Sequence, residues 1–576
     1  MTHAACPPDL SHTAPYDVEA RAALARVTGA LSPAAALLAA VDWAVHLAVS
    51  PGKRLQLVQL ALRLQRQLAH DAGVRMVAAH GAAPVSAQAG DRRFAAPEWQ
   101  QWPFYLWQRS FLATERWWDA ATHDVFGVEK HHQDLVAFGA RQWLDMFSPG
   151  NLPWTNPQVV ARTAQEGGAN LWRGLWHWAE DLQRLASDAP PAGSEAYRVG
   201  RTLAVTPGKV VLRNALIELI QYTPATRTVY PEPVLIVPAW IMKYYILDLS
   251  AQDSLVKYLV DQGHTVFCIS WKNPGEAERG MGMEDYLTLG LQAALDAVNA
   301  LFPRRKVHAA GYCLGGTLLA IGAAAMARDG DTRLATTTYF AAQTDFSQPG
   351  ELGLFIDESQ LSLLEAQMHE TGYLTAQQMA GAFSMLRSYD LLWSRMVGEY
   401  LLGERAPMND LMAWNADATR MPARMHSEYL RRLFLDDDLS EGRFPVGGRP
   451  VTLGSLRLPT FMVGTLTDHV APWRSVHKLH FLSPAEITFA LTSGGHNAGI
   501  VNPPGPESHR RYRLLTRPAE GPYLAPEEWL AQAPEHAGSW WPAWQQWLAA
   551  HSGARVKPPR MGAALADAPG QYVLEK

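Results

Sequence analysis

The stretch Lys306-Val-His-Ala-Ala-Gly-Tyr-Cys-Leu-Gly-Gly-Thr317 limits what this chain can fold into more than any other part of it. An apolar run at 307–310, suited to a buried strand, meets Gly311-Tyr312-Cys313-Leu314-Gly315, and a long apolar helical pattern starts directly behind. That order is strand, sharp turn, helix, with Cys313 at the tip. A G-x-S-x-G nucleophile turn needs small residues on both sides, because the nucleophile sits in a strained conformation with its neighbours pressed together. Here cysteine stands where serine is usual. Taken alone the motif is weak, since a cysteine among glycines is more often a packing residue than a nucleophile. The rest of the chain has to supply its partners.

At 576 residues the chain exceeds one ordinary domain, so two domains, or one with large insertions, are expected. A composition 48% hydrophobic and 18% charged is that of a globular protein, and a formal net charge of -5 argues against nucleic acid as a partner. The 21 tryptophans read first as ordinary core and cap residues, and second as an amphipathic surface that meets something apolar. Cys6, Cys268 and Cys313 lie far apart, which fits a reducing compartment and excludes a disulfide framework or a thiolate zinc cage. Residues 1–15 show neither the basic nor the apolar part of a secretory signal. The apolar stretch at 34–49 is too short to span a membrane and carries Asp42 and His46, so a partly buried amphipathic helix is expected there.

In chain order, residues 1–70 read as a helical leader, with helices at 34–49 and 55–68 on either side of Pro51-Gly52. A linker rich in Ala, Gly, Ser and Gln follows at 71–93, then a helical N-terminal domain at 94–208 that is dense in aromatic residues from Trp99 onward. A helix at 134–147 stops at Ser148-Pro-Gly-Asn-Leu-Pro153. The pair His131-His132 lacks a carboxylate or thiolate cluster at ligand spacing, so a solvated helix end is expected there, and no metal. The catalytic domain spans 209–576. Apolar runs at 210–212, 217–221, 233–238, 265–271, 307–310 and 336–340 alternate with helical patterns at 253–262, 284–301 and behind Cys313, which spells an α/β fold with a mostly parallel sheet. Between 346 and 449 there is no strand of quality but helical blocks at 363–368, 376–386 and 425–434, an insertion that reads as a cap. Strands resume at 460–464 and 486–491, and terminal helices include 539–550.

Those resumed strands carry the partners. One opens into a loop with Asp468, the next into a glycine loop with His496, so both fall at strand C-terminal ends, where open α/β sheets build their sites. The order Cys313, Asp468, His496 is that of an α/β-hydrolase triad. Alone, Asp468 is a loop or cap residue and His496 a satisfied loop histidine; the combination favours catalysis. His469 is the rival base, His308 reads as core, and Asp248 as a structural hydrogen-bonding residue. The backbone N–H of Leu314 and, from the loop after 234–237, that of Trp240 are the expected oxyanion donors. Cysteine in place of serine favours acyl transfer from a thioester, because the exchange is nearly thermoneutral and the acyl-cysteine still drives ester formation.

The chain resembles the polyhydroxyalkanoate synthases, class I-like and especially those of the poly(3-hydroxybutyrate) type. The resemblance rests on Leu152-Pro-Trp-Thr-Asn-Pro157, Gly167-Gly-Ala-Asn-Leu171, Ser270-Trp-Lys-Asn-Pro274, Gly311-Tyr-Cys-Leu-Gly-Gly316, Trp414-Asn415, Asp468-His-Val-Ala-Pro-Trp473 and Gly495-His-Asn-Ala-Gly499, and it covers nearly the whole chain. It implies an α/β-hydrolase fold with a helical cap and a mostly helical N-terminal domain. It also implies an acyltransferase that polymerises (R)-3-hydroxyacyl-CoA and releases CoA, with Cys313 as acyl acceptor, His496 as base, and Asp468 as its partner or as a helper in activating the chain-end hydroxyl. Further implications are a homodimer, cytoplasmic, at the surface of polymer granules, with no cofactor beyond the CoA thioester it consumes. Two other readings stand beside this one: a cysteine hydrolase acting on thioesters or polyester, and a non-catalytic granule-binding paralogue.

Overall fold

The chain enters its sheet with an antiparallel hairpin, β1 (Gly208–Arg213) and β2 (Ile217–Tyr222). It then lays down six strands that contain no Asp, Glu, Lys or Arg: β3 (Val234–Val237), β4 (Val266–Trp271), β5 (Val307–Tyr312), β6 (Leu334–Phe340), β7 (Thr460–Thr465) and β8 (Ile487–Thr492). A strand buried on both faces has no side on which to place a charge, so these six pair in parallel at the centre of the sheet. Three further strands close the edges in antiparallel pairing: β9 (Arg511–Arg517), β10 (Glu535–Ala537) and β11 (Ala566–Asp567). The spatial order is β10-β9-β8-β7-β6-β5-β3-β4-β2-β1-β11. None of these three strands is expected from the sequence pattern; β9, next to the edge strand β10, reads Arg-Tyr-Arg-Leu-Leu-Thr-Arg and is only partly buried.

In this computed structural model, residues 15–28, 31–77, 93–187, 189–379, 381, 392–505 and 509–576 are described. They form two compact units: the described residues within 1–30, 193–380 and 408–576 make the unit that holds the sheet, and those within 31–192 and 381–407 make a helical unit. The 346–449 insertion is thus shared between the two, its helix Glu358–Thr371 and the helix Ala423–Tyr429 belonging to the sheet unit. Cys6, residues 78–92 of the expected linker and most of the helical block at 376–386 lie outside the described residues.

The sheet unit also holds the first helix, α1 (Pro15–Thr28), and the helical unit carries α2 (Pro33–Ala48), α3 (Pro51–Val77), α4 (Phe104–Thr122), α5 (Lys130–Met146), α6 (Pro157–Gln165) and α7 (Ala169–Ala186). Helix α3 runs past Leu68 to Val77, taking in residues that the composition assigns to the linker. His132 sits at the start of α5, where its Nδ1 meets Asp42 Oδ2 of α2 at 2.8 Å, and no metal-holding group occurs among the described residues. No single helix among them is long and apolar enough to cross a membrane.

Helix α7 is turned inside out. Its polar face packs inward: Asn170 Nδ2 donates to the Leu401 carbonyl (2.8 Å), Arg405 pairs with Glu180 (3.0 Å) and Asp181 (2.9 Å), and a Cβ at Gly174 would stand 1.8 Å from the Tyr400 carbonyl oxygen. Its apolar face, Trp172, Leu175, Trp176, Trp178, Leu182 and Leu185, is exposed. A helix of an ordinary globular surface does the reverse.

Candidate active site

Strand β5 ends at Tyr312, and the next residue, Cys313, has φ 51° and ψ -126° before the helix Leu314–Asp329 begins. This left-handed conformation is rare for a residue with a side chain and is held only where the surroundings fix it. Close approach of backbone supplies that constraint. A Cβ on Gly311 would lie 2.4 Å from Gly316 Cα, and one on Gly315 would lie 2.1 Å from the Val237 carbonyl oxygen. Glycine at these two places lets the helix start press against the strand behind it and against the end of β3. Cys313 is half-buried at the end of the core, whereas Cys268, within β4, is fully buried and its thiol pushed well above the ordinary value, first by burial and then by the charge of Asp248.

The loop after β7 fixes Asp468. Thr465 donates its hydroxyl to Oδ2 (2.6 Å), and the N–H groups of Val470 and Ala471 both donate to Oδ1 (2.9 Å each). Burial favours the neutral acid. The charge of His496 and the hydrogen bonds from His496, Thr465 and Ala471 outweigh it, holding the carboxyl below its ordinary pKa. Asp468 is therefore a carboxylate at neutral pH.

His496 leaves the glycine loop after β8 and places Nδ1 2.8 Å from Asp468 Oδ2. With Nδ1–H committed to the carboxylate, Nε2 is left free on the side of Cys313, whose sulfur is near enough to bear on the ring's charge. Burial alone would lower the imidazole pKa. The charges of Asp468 and of the Cys313 sulfur, with the hydrogen bond to Asp468, override burial and hold it well above the ordinary histidine value. This favours an imidazole that keeps its proton while it lies beside Cys313.

The structure thus brings Cys313, Asp468 and His496 together, and it is His496 rather than His469 that meets the acid. His308 spends both ring nitrogens inside the core, on Thr336 (2.8 Å) and Ser552 (3.0 Å), and burial pushes it down to about 4. Asp248 accepts from Thr206 and from Ser254 (2.7 Å) in a fully buried cluster, its carboxyl pushed up to about 6 by burial. Leu314 opens the elbow helix, so its N–H has no acceptor within the helix. Trp240 lies in the loop after β3; its carbonyl accepts from Thr419 (2.7 Å) and its indole N–H donates to Met425 Sδ (3.2 Å), tying the loop to the inserted segment.

Two neighbourhoods at this site are not legible in the sequence. Tyr429, on the insertion's helix Ala423–Tyr429, has its phenol pushed up by burial and then by the charge of the nearby Cys313 sulfur. Tyr312 and Asn497, each adjacent to a triad residue, hydrogen-bond to each other at 2.5 Å. Their position beside Cys313 and His496 was the available signal, but adjacency in a strand or loop does not tell which side chains meet.

Models of known families match three parts of the chain: the poly-beta-hydroxybutyrate polymerase (PhaC) N-terminus at residues 90–259, the poly-beta-hydroxybutyrate polymerase N terminal segment at 11–53, and the alpha/beta hydrolase fold at 232–503. The chain is similar to a poly(3-hydroxyalkanoate) polymerase of Methylorubrum extorquens, 42% identical over 493 residues that cover 84% of this chain and 81% of the relative. It is also similar to the poly(3-hydroxyalkanoate) polymerase subunit PhaC of Cupriavidus necator, 34% identical over 536 residues covering 91% and 90%.

Proposed function

The chain belongs to the poly(3-hydroxyalkanoate) polymerase family and is an acyltransferase, and from that premise we propose that Cys313, His496 and Asp468 carry (R)-3-hydroxyacyl groups from CoA into polyester. The observation that supports this most is the convergence of three strand ends on one point: the elbow cysteine at positive φ, and a buried histidine bridging it to a carboxylate.

The Cys313 thiolate attacks the thioester carbonyl, and the tetrahedral oxyanion is met by the N–H of Leu314 and that of Trp240. Collapse breaks the C–S bond to CoA. His496 gives its proton to the departing sulfur, leaving an acyl-cysteine and a neutral imidazole. The imidazole then takes the proton of a chain-end hydroxyl as that oxygen attacks the acyl-cysteine, forming an ester and returning the thiolate–imidazolium pair. Asp468 holds the ring in the tautomer that serves both steps and stabilises its charged form. Water must lose to the hydroxyl at the second step, and closure by the inserted segment around Tyr429 supplies the exclusion.

The exposed apolar face of α7 supports work at the surface of the polymer granule in the cytoplasm. Trp172 and Trp176 are each 74% exposed, and with Leu175, Trp178, Leu182 and Leu185 they offer a continuous greasy face of the kind that marks an interaction site. A water-insoluble polyester is the apolar body that the enzyme itself produces.

Incubation with 3-hydroxybutyryl-CoA, following CoA release and sizing the product, tests the reading. High-mass polyester is expected; CoA release with only free hydroxy acid would make the protein a thioesterase.

A further inference from the structure

We propose that the hydrogen bond between Tyr312 and Asn497 is the tie that keeps His496 seated on Cys313, which makes both of them positioning residues; the inference rests on the polymerase reading of the same triad. The elbow strand β5 and the histidine strand β8 are not neighbours. Strands β6 and β7 lie between them, a lateral gap of about 14 Å at the usual strand spacing, so no ladder bond joins their ends.

The histidine loop is well fastened along two directions. Its turn is closed by the Gly499 N–H on the Gly495 carbonyl (2.8 Å) and the Val501 N–H on the Asn497 carbonyl (2.9 Å). From behind, the indoles of Trp540 and Trp541 donate to the carbonyls of Gly499 (3.0 Å) and Ile500 (2.9 Å), and Asp468 holds Nδ1. Toward the nucleophile, apart from the reacting contact itself, the loop is tied by the Tyr312 hydroxyl, which donates to Asn497 Oδ1 at 2.5 Å. The Tyr312 ring also lies alongside the imidazole, centroids 5.4 Å apart and planes 33° apart.

This chemistry makes the tie matter. During each cycle Nε2 serves three partners in turn, the Cys313 sulfur, the CoA sulfur and a chain-end oxygen, while a growing chain fills the site. An imidazole held at Nδ1 alone swivels about that bond. A second fastening, between the residue before the nucleophile and the residue after the base, fixes the distance between the two as a unit.

The test compares Tyr312→Phe, Asn497→Leu and the double variant by three measurements: kcat and KM for CoA release from 3-hydroxybutyryl-CoA, the rate of Cys313 alkylation by iodoacetamide mapped by mass spectrometry, and Tm. Each single change is expected to slow both kcat and alkylation about three- to tenfold, the worth of one neutral hydrogen bond, with KM and Tm little changed. The double variant should be no slower than the slower single, since both remove the same bond. Alkylation needs no polymerase activity, so the tie is read even in a chain that proves to be a hydrolase. Wild-type alkylation rates in both single variants would overturn the proposal, as would single effects that multiply in the double, or rate losses that merely follow a fall in Tm.

Discussion

The two compact units use the same residue type in opposite ways. In the sheet unit the indoles of Trp540, Trp541 and Trp544 are buried, and each finds an acceptor, on Gly499, Ile500 and Thr338 respectively. In the helical unit Trp102, Trp143, Trp154, Trp172, Trp176 and Trp178 are exposed. Expecting the tryptophans to be ordinary core residues therefore describes these three and Trp99 of the helical unit, but not those six. Burial with a satisfied N–H marks a side chain that builds a fold. A large apolar surface that a folded helix leaves outside, while it turns its acidic side chains toward ion-pair partners, marks a surface kept for another body.

Substitutions in each unit sharpen that contrast. Cys313→Ala should reduce CoA release about 10⁶-fold, the usual cost of losing a nucleophile, while leaving adsorption to polymer unchanged; Cys268→Ala should leave CoA release intact. Asp468→Asn keeps the shape but offers the wrong hydrogen-bonding group to His496 Nδ1, and a loss in kcat of about 10⁴ is expected. Both are read by following free CoA. Next in size is one change made twice. Trp544→Ala should destabilise the protein by about 3–5 kcal/mol in denaturant unfolding, whereas Trp176→Ala should stay within about 0.5 kcal/mol. The double variant Trp172→Ser, Trp176→Ser should instead weaken adsorption to amorphous polyester particles in a sedimentation assay, with turnover of soluble acyl-CoA retained. Equal stability losses at Trp544 and Trp176 would remove the distinction between the units.

The last contrast is in pH. Burial pushes His308, His426 and His477 down to about 4, and His264 and His480 down to about 3, all in the sheet unit. They are neutral when folded and take a proton near 6.5 when unfolded, so their contribution to stability is complete above that pH and is lost as the pH falls toward 4. Each contributes a slope of up to about 1.4 kcal/mol per pH unit in that window. Asp248, pushed up to about 6, works the other way, losing its contribution as the pH rises from its unfolded value. Five buried rings that must charge as the pH falls favour acid lability of the sheet unit. Thermal unfolding at pH 7, 6 and 5 should show Tm falling at each step; a flat profile would contradict the burial of these rings.

Much of the catalytic fold is legible in the sequence because its constraints are local. Short uncharged runs bounded by turns read as inner strands, and the glycines around Cys313 mark a place where backbones touch. Asp468 and His496 are legible as strand-end residues, and their meeting follows from the order of the strands. The strand Arg511–Arg517 is not, since its pairing comes from its neighbours β8 and β10 and not from its own pattern. Nor is the inversion of α7. Periodicity reveals that the helix has two faces, but which one is buried is set by Leu401, Tyr400 and Arg405, more than two hundred residues away. The Tyr312–Asn497 bond is of the same kind, a contact between residues separated by 185 positions.

The central claim is that Cys313 carries the acyl group, and the most direct measurement is the mass of the protein after brief mixing with 3-hydroxybutyryl-CoA, followed by peptide mapping. The predicted result is a hydroxybutyryl adduct on the peptide that contains Cys313, absent from Cys313→Ala. An adduct on any other residue, or CoA release that persists in Cys313→Ala, would contradict it.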